Sequence, residues 1–269
     1  MPDHAAIGID IGGTKIAVGL VFPDGRLEHR TEIATAGATL ADVAAAAGRG
    51  AVAGVGVGIC ELVDNEGEVR SAASVPWTTA DLRAALGDLG PVTVEADVRA
   101  AAVAEARFGA GRPFSSFVYV TIGTGISHCL VQDGEPYRGA HGFAQLSGSA
   151  TLSFRCPHCG EPVRLSAEDV ASGAALARAG DADIAALGAV VALLVNVLDP
   201  EAVVVGGGLG SAPGAYWERL LRATREHIWA AAVRELPIVQ AGLGADSGVI
   251  GAGWLGLRAR ERELTTREG

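Results

Sequence analysis

The feature that most constrains the chain lies near its start: Ile7-Gly8-Ile9-Asp10-Ile11-Gly12-Gly13-Thr14-Lys15, followed at once by Ile16-Ala17-Val18-Gly19-Leu20-Val21. β-branched apolar runs on both sides of a glycine pair predict strand, tight turn, strand. Glycine lets the backbone N–H groups of such a turn approach a phosphate. Thr14 and Lys15, the only lysine in the protein, add side-chain donors. Asp10 stands where the strand ends, a natural place for a carboxylate to hold Mg²⁺ through its waters. The competing reading is an ordinary hairpin turn with an incidental acid. Two familiar phosphate loops do not fit. No Gly-x-x-x-x-Gly-Lys-Ser/Thr string occurs, and a dinucleotide-binding turn opens into a helix, whereas Ile16 to Val21 is β-like.

At 269 residues the chain can form one large or two medium domains. Its net charge of −10, without a run of arginines, argues against nucleic acid as a partner, because phosphate backbones demand clustered cations. The N-terminus lacks a basic segment leading into a long apolar one, so no secretory signal is expected. The most apolar stretch, Ile184 to Leu198, is bounded by Asp183 and Asp199. It is too short to span a bilayer and reads as a buried helix. The four cysteines form no extracellular framework. A soluble, cytoplasmic α/β protein is expected.

Strand-like runs are 5–11, 16–22, 26–34, 54–59 and 91–95, with helical stretches at 40–47, 79–86 and 98–108. The pattern breaks at Gly109-Ala110-Gly111-Arg112-Pro113, a candidate hinge, and then restarts. Strand 116–122, the turn Gly123-Thr124-Gly125 and strand 126–132 repeat the opening architecture without repeating its sequence. Helices follow at 167–179, 183–198, 214–231 and 247–263, with strands at 202–205 and 238–241 between them.

Three further segments carry candidate chemistry. Thr121-Ile122-Gly123-Thr124-Gly125 offers the same donors as the first turn, and two such hairpins facing each other would hold both ends of a triphosphate. Val203-Val204-Val205-Gly206-Gly207-Gly208 runs a buried strand into bare backbone, against which a flat ring such as adenine can lie. At Glu95-Ala96-Asp97-Val98 a strand gives way to a helix. There Asp97 is either a helix cap or a general base at the mouth of a cleft.

In this order the segments resemble the ROK family of sugar kinases and sugar-sensing repressors. The resemblance extends to Tyr137-Arg138-Gly139-Ala140-His141-Gly142, Ala171-Ser172-Gly173, Asn196-Val197-Leu198-Asp199-Pro200 and Gly248-Val249-Ile250-Gly251-Ala252. It implies a two-domain, actin-like (ribonuclease H-like) ATPase fold of the α/β class, with ATP and sugar bound in the cleft. Residues 1–109 would form the first domain, joined by a C-terminal helix at about 247–269, and residues 110–246 the second. With six residues before Ile7 there is no room for the repressors' DNA-binding segment, so the kinase branch is expected. The resemblance further implies ATP and Mg²⁺ as cofactors. It assigns Asp10 to the metal, Gly12, Gly13, Thr14 and Lys15 to the first phosphate motif, and Thr121, Gly123, Thr124 and Gly125 to the second. Gly206, Gly207 and Gly208 go to adenosine, and Asp97 takes the proton from the attacking sugar hydroxyl. A homodimer is expected from the family's habit.

Departures from the family gather on the sugar side. Ala96 replaces an asparagine before the base, and Arg99 replaces a second one; Arg99, if it faces the cleft, offers a partner for an anionic substituent. Gln145-Leu146-Ser147-Gly148-Ser149 replaces a Gly-Glu-Ile-Gly-His string, with Leu146 for a sugar-binding glutamate and Ser149 for a zinc-binding histidine. Cys60-Glu61-Leu62-Val63-Asp64 replaces a Pro-Gly-Pro-Val-Asp stretch, and Ser127, His128 and Cys129 replace glycines. Glu168 takes the place of another sugar-binding glutamate. Asp97, Glu168, Ala96 and Ser74 are therefore the expected substrate-side residues. Cys156 and Cys159 retain a Cys-x-x-Cys spacing, but Ser149 and Ser166 stand where the other zinc ligands belong, leaving an incomplete site. A kinase of a hexose, amino sugar or cyclitol is the leading expectation. A catalytically degenerate protein that binds or senses a metabolite is the alternative, and a structural actin-like ATPase a distant third.

Overall fold

The computed structural model describes residues 5–48, 52–179, 183–212 and 214–268. The first sheet holds β1 (Ala6–Ile11), β2 (Lys15–Val21), β3 (Leu27–Ala34), β4 (Val55–Ile59) and β5 (Val92–Ala96), ordered β3-β2-β1-β4-β5. The opening hairpin forms as its residues dictate. Ile11 lies opposite Ile16, and the Gly12 amide donates to the Lys15 carbonyl at 3.0 Å. β4 and β5 then add in parallel to β1. The intervening helices, α1 (Leu40–Ala47) and α2 (Thr79–Leu86), both begin with reciprocal capping boxes, Thr39 with Asp42 and Thr78 with Asp81. They bury Val43, Leu82 and Leu86 against the isoleucines of β1.

β5 runs straight into α3 (Asp97–Phe108), and the chain then builds a second sheet. β6 (Ser116–Ile122), β7 (Ile126–Gln132) and β8 (Glu135–Pro136) come first, then the separate hairpin β9 (Leu152–Arg155) and β10 (Pro162–Leu165). Next are α4 (Ala167–Ala171), α5 (Gly173–Ala179), α6 (Ile184–Leu198) and β11 (Ala202–Gly206). The short α7 (Gly207–Gly210), α8 (Ala215–His227), β12 (Ile238–Gln240) and α9 (Ser247–Glu268) complete the chain. The order β8-β7-β6-β11-β12 repeats the topology of the first sheet: three antiparallel strands, then two added in parallel. Unrelated sequences thus build the same mixed sheet twice.

The structure corrects three expectations about elements. The helix foreseen at 167–179 is broken at Ser172, whose backbone is extended and whose hydroxyl donates to the Glu168 carbonyl at 2.7 Å. The helix foreseen at 214–231 stops at His227. The hairpin at 152–165 was not foreseen, although Leu152, Ser153, Phe154 and Arg155 alternate with period two as a strand should. Among the described residues, no helix is long and apolar enough to cross a membrane.

Two helices change partners. α3 leaves the first sheet and packs Val98, Ala101 and Ala102 against Phe117, Tyr119 and Val131 of the second. α9 leaves the second sheet and packs on the first, with Val249 and Ile250 against Ala17 and Val21, and Leu257 against Ala6. The helix backbone lies almost on the sheet backbone. A Cβ added at Gly8 would fall 2.0 Å from the Val249 carbonyl oxygen, and one at Gly56 1.7 Å from that of Ala252. No side chain fits between surfaces this close, which is why strand and helix meet through glycine.

Candidate active site

β1, β4 and β5 run parallel, so their C-terminal ends share one edge of the first sheet. Asp10 pairs with Gly58, and Gly58 with Glu95. Neighbouring strands are about 4.8 Å apart. The bare Gly58 backbone between them leaves room for two carboxylates. A Cβ there would sit 3.5 Å from Asp97 Cα and 3.8 Å from Asp10 Oδ1. Asp97 is not the helix cap: Ala96 holds the cap position without a side-chain bond, and Asp97 is the first helical residue. Its Oδ1 accepts the Val98 amide at 2.6 Å.

Burial raises the Asp97 carboxyl to about 7, and the nearby Asp10 charge adds to the rise against the Val98 amide and Arg99. Burial likewise raises Asp10 to about 6, opposed by Lys15 and Arg30. Two buried carboxyls at one sheet edge, each held above its ordinary range, are placed to share a cation or to exchange a proton near neutral pH.

The two glycine turns meet above these acids. Thr14 Oγ1 and Thr124 Oγ1 are 3.0 Å apart across the two halves of the chain. At Gly123 and Gly208 an added Cβ would meet no atom within 4 Å, and at Gly13 only the Ser74 side chain, at 3.8 Å. None of these three adopts the positive φ that demands glycine. Nothing inside the protein requires a bare backbone at these points. Gly206 and Gly207 differ. A Cβ on Gly206 would strike the Tyr119 hydroxyl at 2.2 Å, and Gly207 takes φ +82° against the Ile122 carbonyl. Thr121 pairs with Gly206 across β6 and β11, which places the second turn beside the third glycine cluster. Gly125 packs on the Glu168 carboxylate, 2.7 Å from where its Cβ would be. Lys15 reaches out to Glu32 at 3.0 Å in an exposed pair, of a kind that contributes little stability and releases the amine readily.

The substrate-side residues divide. Ser74 lies on the exposed loop facing Gly13, and Glu61 shapes that loop from beneath. Burial opposes the Glu61 charge, but the Ser71 hydroxyl and the amides of Ala73, Ser74 and Val75 outweigh it and hold the carboxyl below its usual range. Cys60 bonds to Ser74, and burial together with the Asp97 charge pushes its thiol up to about 12, so it is neutral. Glu168 accepts the Ile126 amide and the Ser149 hydroxyl, both at 2.7 Å, directly beneath the second turn.

Two expectations fail here. Ala96 is fully buried in the first core, with its amide on Glu95 at 2.9 Å, and presents nothing to a substrate. Arg99 is also fully buried. It bonds Glu95 at 2.7 Å, the Val63 carbonyl at 2.7 Å, Gln145 at 3.1 Å and the Gly142 carbonyl. A guanidinium with its donors committed to four groups ties loops together and has nothing left for an anionic ligand. Sequence reasoning also passed over Glu61 and Glu105, although a single acid inside the alanine-rich face of α3 was visible.

The cysteine pair sits at the tip of the exposed β9–β10 hairpin. Cys156 receives the amides of Cys159 and His158, which hold its thiol below the usual range. Among the described residues no third ligand joins them: Ser166 caps α4 and Ser149 serves Glu168. Among the described residues no group of three or more His, Cys, Asp or Glu is arranged to hold a metal. These residues do not fit a four-ligand zinc site. Metal analysis of purified protein is expected to find well under one zinc per chain; stoichiometric zinc retained through dialysis against a weak chelator would contradict this.

The wider relationships agree with the geometry. The chain spans about half the length of the curated relatives it matches first, such as the bifunctional enzyme NanE/NanK of Brucella melitensis. That protein is 33% identical over 93% of this chain and 53% of its own length. The glucokinase of Halalkalibacterium halodurans is 28% identical, with 100% of this chain and 99% of the relative covered. A ROK family glucokinase from Streptomyces griseus, solved with glucose and AMPPNP, superposes with a TM-score of 0.80 at 27% identity, covering 94% of this chain and 99% of that one. The family model for ROK proteins matches residues 6–184 and 181–259. With two sheets of one topology, exchanged helices and facing glycine turns, the chain has the two-domain actin-like ATPase fold and belongs to the ROK family.

Proposed function

We propose that the protein is an ATP-dependent carbohydrate kinase that transfers the γ-phosphoryl group to a hydroxyl of a hexose, amino sugar or cyclitol, with Asp97 as general base. One observation carries this reading: two glycine-threonine turns meet at 3.0 Å beside a carboxyl held at about 7. Residues 1–109 with α9 form one lobe and residues 110–246 the other, and the turns close the cleft between them. Bare backbone at Gly13 and Gly123 cradles phosphate oxygens, with Gly12, Thr14, Thr124 and Lys15 adding donors, and Gly208 leaves space for the nucleoside. Asp10 would hold Mg²⁺, which would supply charge neutralisation for the transferring group. Asp97 aligns the attacking hydroxyl and accepts its proton. Ser74 and Glu168 flank the acceptor. Leu146, 42% exposed just before Ser149, favours an apolar substituent over a free hydroxyl.

The test is ATP consumption across hexoses, amino sugars and cyclitols, each with saturating Mg²⁺. Turnover on at least one member supports the kinase reading. Intact ATP binding with no turnover on any member would overturn it in favour of a degenerate binding protein. A second outcome isolates the phosphate cradle. Gly123→Val is expected to raise the KM for ATP by about tenfold or more, about 1.4 kcal/mol of binding. The melting midpoint should not move, because no protein atom lies within 4 Å of the added Cβ.

A further inference from the structure

One buried carboxylate ties both chain crossings between the two halves. Glu105 lies on α3 eight residues after Asp97, about 12 Å along the same helix. It is fully buried. Its Oε2 accepts the amides of Ala110 at 2.8 Å and Gly242 at 2.9 Å. Its Oε1 accepts the Leu243 amide at 2.9 Å and the Ser247 hydroxyl at 2.7 Å. Ala110 belongs to the segment that leaves α3 for the second sheet. Gly242, Leu243 and Ser247 belong to the segment that returns from β12 to α9. The two crossings touch backbone to backbone, since a Cβ on Gly242 would lie 2.9 Å from the Ala110 nitrogen.

The same cluster reaches the candidate nucleotide site on two sides. The Ser247 side chain also lies beside the Tyr119 hydroxyl, and that hydroxyl fills the space where Gly206 has no side chain, 2.2 Å from a would-be Cβ. Next to Ser247, Gly248 seats the Asp10 carboxylate, whose Oδ2 is 2.2 Å from where a Cβ would be. A continuous line of contacts therefore runs from the Gly206 turn through Tyr119 and Ser247 to Glu105, with Asp10 one residue away.

We propose that Glu105 is a positioning residue: it pins the two crossings into a single pivot and sets the angle at which the Thr14 and Thr124 turns close on ATP. A buried carboxylate with four donors around it resists sliding of one crossing past the other, because any shift leaves buried polar groups without partners. Tyr119 links the pivot to the nucleotide turn. This inference rests on the proposed ATP site but not on the identity of the acceptor.

The experiment uses the full chain with Glu105→Gln and Tyr119→Phe. Glutamine keeps the shape but turns an NH₂ toward amides that need an acceptor. Glu105→Gln is expected to lower kcat at least about tenfold while the acceptor KM stays within about threefold, and to abolish the decrease in radius of gyration expected of the parent chain with AMPPNP and Mg²⁺ in small-angle scattering; a parent chain that does not compact would itself overturn the proposal. Tyr119→Phe removes one hydroxyl and no ionisable carboxyl, so it is expected to fold. It is expected to raise the KM for ATP about threefold or more with the acceptor KM unchanged. Parent-like compaction by both variants would overturn the proposal, and so would a kcat loss in Glu105→Gln fully explained by its unfolded fraction. Compaction on the ATP analogue is read without turnover, so failure to find an acceptor leaves this result interpretable.

Discussion

Asp97→Asn is expected to lower kcat by about 10²–10⁴-fold, the usual contribution of a positioned general base, while the protein becomes more stable at pH 8. The two effects share one cause. Burial raises the Asp97 carboxyl to about 7 from its ordinary value of 3.8. Between these values the unfolded chain gives up its proton while the folded chain keeps it. Folding stability therefore falls as pH rises from about 4 to about 7 and stays reduced above that. Asparagine never ionises, so the variant escapes the penalty and its melting midpoint at pH 8 should exceed that of the parent. The same titration governs activity. With Asp10 near 6 and Asp97 near 7, kcat/KM should rise with pH through this range and level off above it. The two carboxyls interact, so the limb reports the pair rather than either residue. A flat profile between pH 5.5 and 8, or full activity in Asp97→Asn, would show that another group takes the proton.

Gly251→Val is expected to be among the most damaging substitutions for the fold. Its Cβ would lie 1.8 Å from the Ala100 carbonyl oxygen, where α9 crosses α3. The obstacle is helix backbone and cannot rotate away, so the cost should exceed the about 1–3 kcal/mol typical of an overpacked core. Low soluble yield or a large fall in the melting midpoint would show this. Gly208→Ala, where an added Cβ meets no atom beyond its neighbours and its own helix backbone within 4 Å, is the control and should melt close to the parent. Gly251→Ala is the informative intermediate. Ala100 sits one turn after Asp97, so a shift of α3 that the fold survives should still misplace the base and lower kcat. An alanine variant with parent stability and parent kcat would mean that the two helices are not packed this tightly.

Much of this was legible in advance for identifiable reasons. The hairpin at Asp10 to Lys15 and its counterpart at Gly123 to Gly125 declare themselves locally, because β-branched runs around glycine leave the backbone few alternatives. The caps of α1 and α2 are likewise written in four-residue strings. The substrate side was less legible because its residues act at long range. Arg99 looked like a charge awaiting an anion. Its partners Val63, Gly142 and Gln145 come from loops 36, 43 and 46 positions away, and only folding brings them to the guanidinium. Ala96 misled for the opposite reason: adjacency to Asp97 in sequence suggested a shared role, but consecutive residues at the end of a strand point to opposite faces.

By itself the sequence determined the local chemistry: two glycine-threonine turns, an acid at a strand end, another at a helix start, and a cysteine pair short of ligands. These follow from covalent preference and hydrogen-bond valence within a few residues. Only the tertiary structure decided what those pieces amount to. It brought Thr14 to Thr124 across 110 positions, set Asp10 beside Asp97 over a bare Gly58, and gathered both crossings onto Glu105. The opening turn on its own is half of a cradle. Its other half comes from the second sheet, because α3 and α9 exchange sheets and hold the two edges face to face.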